Sequence, residues 1–551
     1  MADPNLKQLI STFIYASGTG DIASHGGSVT AIAESLESIT ATLDSRTRHL
    51  LGESDTLWRE IERLWHQLSD LQTVESTTPS ACESETNNNA DRPTAGAHAE
   101  LCLSLARFTR NVVAGVPQNQ EKAYEWEPSI RQLLHHYTAW VYAENEQGIL
   151  VARVLSQALA NIVTGNEILA AKLWNTYTNL SEKDVVILRL LASRDPRTLV
   201  ATIVMVLNCI DGSLTRMKIL TRTDIGVRMC ILLLDDMVQF YDADEGSDGA
   251  RVFDVGYEIF SRIIALDLIP GLFARLSMSG EIITPHQTTV LKLTDSYLQA
   301  SSVGVSAGPN ARQAVESHGR LRPMLAETFL LLSTYAQRSI RDSLESPSST
   351  ATPEQNAAAS KSTFDPPSSL DVMLPKASEA LVLVTQCIVT ITLKSADADA
   401  TEKAKIKLPQ DFFNEARSGD TGIVESLIEL LHLLDLFLPR INFGKPVRAE
   451  GAAALPEGVG DATGFTYLKR DLVRLLGILC HGDKAVQDRA RVCGGVEVVM
   501  NLCVIDERNP YLREHAIFAL HNLLEDNPEN QRRVELAGGH STNETQGDRL
   551  D

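Results

Sequence analysis

The chain has 551 residues, 44 % of them hydrophobic and only 5 % aromatic, with 50 basic against 71 acidic side chains and a formal charge of −21. That is ample apolar material for a continuous core and too long for one compact domain. Leu, Ala, Ile and Val with few aromatics suit stacked helices better than β-sandwiches, and the acidic excess argues against nucleic-acid backbones and anionic membrane faces as partners.

The N-terminal segment from Met1 to Asn5 has neither a basic nor an apolar region, so no secretory signal is expected. Gly18, Gly20 and Asp21 imitate a dinucleotide fingerprint, but Leu6 to Ile14 reads as a helix at least as well as the strand that motif needs. An interhelical loop is the expectation there. An N-terminal helical block extends to residue 341, interrupted by a Ser-, Thr-, Asn- and Glu-rich flexible insertion at 73–99. Within the block, Leu101, Leu105, Phe108 and Val112 form one helical stripe, and Val151, Leu155, Leu159 and Ile162 another. Asp242, Asp244 and Asp248 faintly suggest a calcium loop, yet Ser247 replaces the sixth-place glycine and Phe253 the twelfth-place acid, so a solvated loop is expected. Gly304, Ser306 and Gly308 spell a nucleophile elbow, but Ser301-Ser302 before them and Pro309-Asn310 after them are loop chemistry.

Residues 342–369 carry Pro, Ser and Ala and read as a disordered linker. A middle helical block follows at 370–443, with Ile423, Leu427, Leu431 and Leu434 on one stripe, then a second linker at 444–464. The longest uncharged apolar run, Ala380 to Leu393, is too short to cross a bilayer, so no membrane insertion is expected. Cysteines at 82, 102, 209, 230, 387, 480, 493 and 503 lie mostly in apolar stretches and read as small buried hydrophobes in a reducing compartment. No Cys-x-x-Cys and no methionine cluster exists; Met229 with Cys230, and Met500 with Cys503, sit in core-like helices. No metal, no cofactor and no catalytic residue are expected. Thr78, Ser346 and Thr352, each followed by proline, are candidate sites for proline-directed kinases.

The strongest signal lies in the C-terminal block, 465–540, which precedes a flexible tail at 541–551. Residues 467–495 align without a gap on the segment 44 positions later: Tyr467 with Tyr511, Leu468 with Leu512, Leu476 with Leu520, Leu479 with Leu523, Gln487 with Gln531, Arg489 with Arg533. Gly494 and Gly495 match Gly538 and Gly539. A period in the low forties belongs to armadillo and HEAT units. Glycine accepts the left-handed conformation that ends one helix so that the next can turn away. The pattern predicts short helices at Ala485–Cys493 and Val496–Cys503 around a Gly494-Gly495 turn, then a long third helix at Tyr511–Leu524. The expected fold is an all-α, armadillo/HEAT-like α-solenoid with long disordered insertions. A weaker echo runs upstream: Asn111 before Asn119-Gln120 is spaced as Asn522 is before Asn530-Gln531, and Asn161 to Gly165 and Asn208 to Gly212 repeat its first half.

The segment Ala106 to Asn111 with Asn119-Gln120, and above all Tyr467 to Gln531 with Arg470-Asp471-Leu472, Gly494-Gly495, Asn509-Pro510 and Asn530-Gln531, resembles the ataxin-10 family. The insertions resemble those of fungal members. The resemblance implies a cytoplasmic, non-enzymatic, armadillo-like scaffold that binds other proteins and acts in cytokinesis and cell division; a self-associating assembly protein is the alternative. In armadillo proteins the third helix lines the groove, so Asn111, Asn161, Asn208 and Asn522 either bind a partner's backbone or tie neighbouring repeats, with the second weighing more. Phe518 stands where importin-like receptors place tryptophan, and the other such positions, Arg107, Gln157 and Val204, depart from that pattern too. Between Tyr467 and His540 ten basic residues face eleven acidic ones. Lys469, Arg470 and Arg474 cluster there, as a docking face for an acidic segment or as a solvated helix face.

Overall fold

A computed structural model describes residues 4–18, 22–23, 26–77, 95–300, 319–345, 371–396, 408–443, 445–446, 465 and 467–544. Helices dominate them. The strands are two antiparallel hairpins of two-residue strands: β1 (Arg417–Ser418) with β2 (Thr421–Gly422), and β3 (Ile441–Asn442) with β4 (Lys445–Pro446).

Chain contacts separate two units, residues 1–263 and 264–551. The first begins with α1 (Pro4–Gly18), α2 (Gly26–Thr40), α3 (Ser45–Gly52), α4 (Asp55–Thr77) and α5 (Ala95–Val112). It continues through α6 (Pro117–Tyr124), α7 (Glu127–Tyr137), α8 (Trp140–Ala143), α9 (Glu146–Val163), α10 (Glu167–Thr178), α11 (Val186–Leu191) and α12 (Pro196–Ile210). The helices α13 (Leu214–Arg222), α14 (Asp224–Gln239) and α15 (Asp248–Ala265) close it. The long helices α2, α5, α9 and α12 stack side by side as the third helices of successive repeats. Their predicted stripes face inward: Leu101, Leu105, Phe108 and Val112 are buried, as are Val151, Leu155, Leu159 and Ile162.

The second unit holds α16 (Ile269–Arg275), α17 (Pro285–Ala300), α18 (Leu321–Glu345), α19 (Leu374–Ala396), α20 (Pro409–Glu415) and α21 (Ile423–Phe437). After them come α22 (Leu468–Cys480), α23 (Lys484–Val492), α24 (Gly495–Leu502), α25 (Leu512–Leu524) and α26 (Pro528–Glu544). Here α17, α19, α22 and α25 form the row of stacked long helices. The chain is an all-α protein of armadillo type, and α23, α24 and α25 reproduce the three helices that the 44-residue period predicts.

Several expectations change. The sequence placed a boundary at 341, but α18 runs on to Glu345 and packs on α19 and α21, so residues 321–345 join the later helices. The helix α4 extends to Thr77 and α5 starts at Ala95, narrowing the insertion, while α26 carries Gly538 and Gly539 inside a helix instead of a turn. Residues Thr78, Ser346, Thr352 and the Gly304–Gly308 motif lie outside the described residues. Gly18 ends a helix, which removes the strand that a dinucleotide fingerprint needs.

The stretch Leu374–Lys394, 21 residues, is long and apolar enough to cross a membrane, exceeding the run read from the sequence because its few polar residues are interspersed; 61 % of its most apolar window is buried inside the second unit. Five cysteines, at 102, 209, 230, 387 and 480, are buried, whereas Cys493 is exposed and Cys503 half-buried.

The Gly494-Gly495 pair divides its work. Gly494 alone adopts the left-handed conformation, at φ 77°. Gly495 starts α24 in a tight space: a Cβ there would stand 2.8 Å from the Ala490 carbonyl oxygen and 2.8 Å from Ile428 Cδ1. Gly495→Val should therefore act through steric displacement of α21 from α24, costing about 1–3 kcal/mol. A thermal melt checks this, and an unchanged midpoint would contradict it.

Candidate protein-binding surface

The ends of the third helices explain most of the recurrent amide residues. A helix leaves its last four carbonyls without intrahelical partners, and buried carbonyls need partners. For α22 these belong to Gly477, Ile478, Leu479 and Cys480. Asn522 Nδ2 donates to Gly477 O at 2.9 Å, and the His481 amide to Ile478 O at 3.3 Å. Asn414 Nδ2 donates to Leu479 O at 3.2 Å, and Gln487 Nε2 to Cys480 O at 3.3 Å. The same device operates upstream: Asn161 Nδ2 donates to Arg110 O at 2.9 Å, and Asn119 Nδ2 to Val112 O at 2.8 Å. Gln120 and Gln487 reach forward to the next third helix, at Asn161 O and Asn522 O, each at 2.9 Å. A left-handed residue then turns the chain four positions after Asn161, Asn208 and Asn522: Gly165 has φ 70°, Gly212 φ 64° and Asp526 φ 51°.

The candidate asparagines therefore occupy different places. Asn522, 2 % exposed, is committed to the stack. Asn208 Nδ2 donates to Thr164 Oγ1 at 2.8 Å on a more open surface. Asn161 is half-buried and tied to Arg110 O, and Asn111 is half-buried, its Oδ1 accepting from Arg110 Nε at 3.3 Å. Asn522→Ala should lower stability by about 1–2 kcal/mol, because it strands a buried carbonyl. A chemical denaturation midpoint equal to that of the parent protein would overturn this assignment.

The proposed basic face does not form. Lys469 is 1 % exposed and turns inward, donating to Leu438 O at 2.8 Å and Asp435 Oδ1 at 3.2 Å; burial lowers its pKa. Arg470 pairs with Asp471 at 2.7 Å and covers the Tyr467 ring at 4.3 Å. Only Arg474 of the three remains open to a ligand, half-buried near His515, whose pKa is lowered by burial and then by Arg474. Helical spacing explains the error, since adjacent residues on a helix point about 100° apart.

Several residues on the third-helix faces are not consumed by packing. Phe518 is 47 % exposed on α25, with Tyr511 at its start. Both Tyr467 and Tyr511 precede their helices in the left-handed conformation, at φ 67° and 64°. Their identity across the 44-residue period is a legible signal, though the backbone conformation behind it is not. In the first unit, α5, α9, α12 and the start of α15 enclose a concavity of about 470 Å³ lined by Arg110, Gln157, Asn161 and Arg197. The arginines escaped the sequence reading because they are 87 residues apart, from 110 to 197.

No group of three or more potential metal ligands among His, Cys, Asp and Glu occurs among the described residues. Burial pushes the thiols of Cys209, Cys230 and Cys480 up to about 12, so they hold their protons at neutral pH.

Residues 468–546 match the family model described as the spinocerebellar ataxia type 10 protein domain. The ataxin-10 homolog of Dictyostelium discoideum is 45 % identical over 67 residues, covering 12 % of this chain and 11 % of that protein. Ataxin-10 of Bos taurus is 29 % identical over 163 residues, 28 % of this chain and 33 % of the relative, and the Candida glabrata homolog is 27 % identical over 133 residues, 20 % and 25 %. These matches span a third or less of each relative. Among solved structures, SYS-1 is similar with a TM-score of 0.34 at 11 % identity, over 94 % of this chain and 99 % of that one. UNC-45 of Drosophila melanogaster follows with a TM-score of 0.21 at 10 % identity, over 95 % and 83 %.

Proposed function

We propose that this chain, which belongs to the ataxin-10 family through its C-terminal domain, is a non-enzymatic cytoplasmic scaffold that binds other proteins along its third helices and acts in cell division. The observation that carries the reading is that each unit has its own row of long helices whose outward side chains, Gln157 and Val204 in the first unit and Phe518 in the second, remain partly exposed after the helix ends have found hydrogen-bond partners. Within each row the amide side chains tie neighbouring third helices together. Rigid presentation keeps binding energy from being lost to ordering. The cell-division role comes from the family alone. Affinity capture with the full chain, compared with a chain ending at Gly464, tests both parts: partners should depend on the C-terminal domain, and cells carrying only the shortened chain should accumulate multinucleate forms. Equal capture by both chains would contradict a role for the C-terminal domain in recruitment, and normal division would contradict the cellular role.

One observation favours self-association as a second reading. Ile517 on α25 is 49 % exposed, although its counterpart one period earlier, Val473, is fully buried. An exposed branched aliphatic side chain is apolar surface that a second copy of the chain can cover. Light scattering after size exclusion separates the readings: a stable oligomer lost on Ile517→Glu supports assembly, and a monomer supports the scaffold alone.

A further inference from the structure

The concavity of the first unit is positively charged within a chain of net charge −21. Arg197 lies 2.7 Å and Arg251 3.7 Å from the same partner, Asp248, so two guanidiniums share one carboxylate. Arg110 enters from α5, and its Nη1 donates to the neutral amide of Gln157 at 2.6 Å. Burial, and then the like charge of Arg107, lowers the Arg110 pKa from its ordinary value. Among the lining residues three guanidiniums face one carboxylate, an excess of two positive charges, with Glu37 behind Arg110 and Asp195 behind Arg197 outside the lining. Val200 and Val204 provide apolar surface beside them, and Asn161 supplies an amide. The concavity also meets the start of α15, an 18-residue helix whose N-terminal dipole adds to the positive field.

We infer that this concavity binds the phosphorylated serine or threonine side chain of an extended segment from a partner protein, an inference that rests on the scaffold reading and deepens it. A phosphate monoester carries about −1.5 to −2 charges at neutral pH and presents three acceptor oxygens, which matches an excess of two on three separated guanidiniums. A carboxylate carries one charge, and Asp248 already supplies one. The apolar strip and the amide suit the peptide on either side of the phosphate. The acidity of the whole chain works against a longer polyanion, whose remaining phosphates would meet repulsion outside the concavity. Arg197 and Arg251 are each 62 % exposed in their side chains, so their replacement leaves the core untouched.

The test measures fluorescence anisotropy of the full chain with a labelled pool of nonapeptides, random except for a central phosphoserine, against the same pool with serine. The phosphoserine pool should bind at least about tenfold more tightly, and Arg251→Glu should remove at least about tenfold of that affinity while the melting temperature holds, since charge-assisted guanidinium bonds supply the difference. Equal binding of the two pools, or none of either, would overturn the inference. So would full competition by inorganic phosphate at equal concentration, which marks a free-anion site, or tighter binding of a single-stranded oligonucleotide. The scaffold reading fails separately. If captured partners still cross-link to the third helices of Arg251→Glu while the phosphoserine pool does not bind, the scaffold stands and the phosphate inference falls.

Discussion

Asp236→Asn is expected to stabilise the protein at pH 8 by on the order of 5 kcal/mol and to flatten its stability between pH 4 and 8. Asp236 sits on α14, 7 % exposed, with no hydrogen-bond partner for Oδ2 among the described residues. Burial, with the neighbouring Asp235 charge second, pushes its carboxyl up to about 8. In the unfolded chain the same group titrates near its ordinary value of about 3.9. A folded pKa above the unfolded one means that its contribution is complete below about pH 4 and is lost as the pH rises toward 8. Between those limits the native protein binds a proton that the unfolded chain has released, so stability falls by up to about 1.4 kcal/mol per pH unit. Asparagine keeps the shape and removes the titration. Melts at pH 5, 6.5 and 8 read the effect: parent and variant should converge at the acid end and separate at pH 8. Parallel curves would show that Asp236 is ionised without penalty.

The second large effect is expected at Gly477, in the contact between α22 and α25. A Cβ there would stand 2.9 Å from Ala519 Cα, 3.0 Å from Ala519 Cβ and 3.3 Å from Phe518 Cδ1. Two backbones approach this closely only because both positions are small, and the same approach lets Asn522 reach Gly477 O. Gly477→Val should separate the helices, break that bond and cost about 3 kcal/mol, at the upper end for overpacking because a buried amide is lost as well. Hydrogen exchange of α25 should accelerate with it. A variant that melts with the parent and keeps α25 protected would mean that the helices are not held as described.

The fold was legible where its cause is periodic. Buried stripes such as Ile423, Leu427, Leu431 and Leu434 announce themselves at helical spacing, and the 44-residue period located α23, α24 and α25 to within about two residues. The binding surface was less legible, because it depends on which way each side chain points. Lys469, Arg470 and Arg474 are neighbours in sequence, yet Lys469 is swallowed by Asp435 and the Leu438 carbonyl. The arginines of the concavity arrive from three separate helices and share no motif. Asn522 stood between two roles until the bookkeeping of α22's last four carbonyls gave it a partner.

Site-specific photo-crosslinking tests the central claim most directly. A benzophenone side chain introduced at Val204 or Phe518 lies on the third-helix faces, whereas one at Val238 or Val492 is exposed on other helices. On activation in cells, the first pair should yield discrete cross-linked products with partner proteins and the second pair should not. Products confined to Val238 and Val492, with Val204 and Phe518 silent, would contradict a scaffold that binds along its third helices.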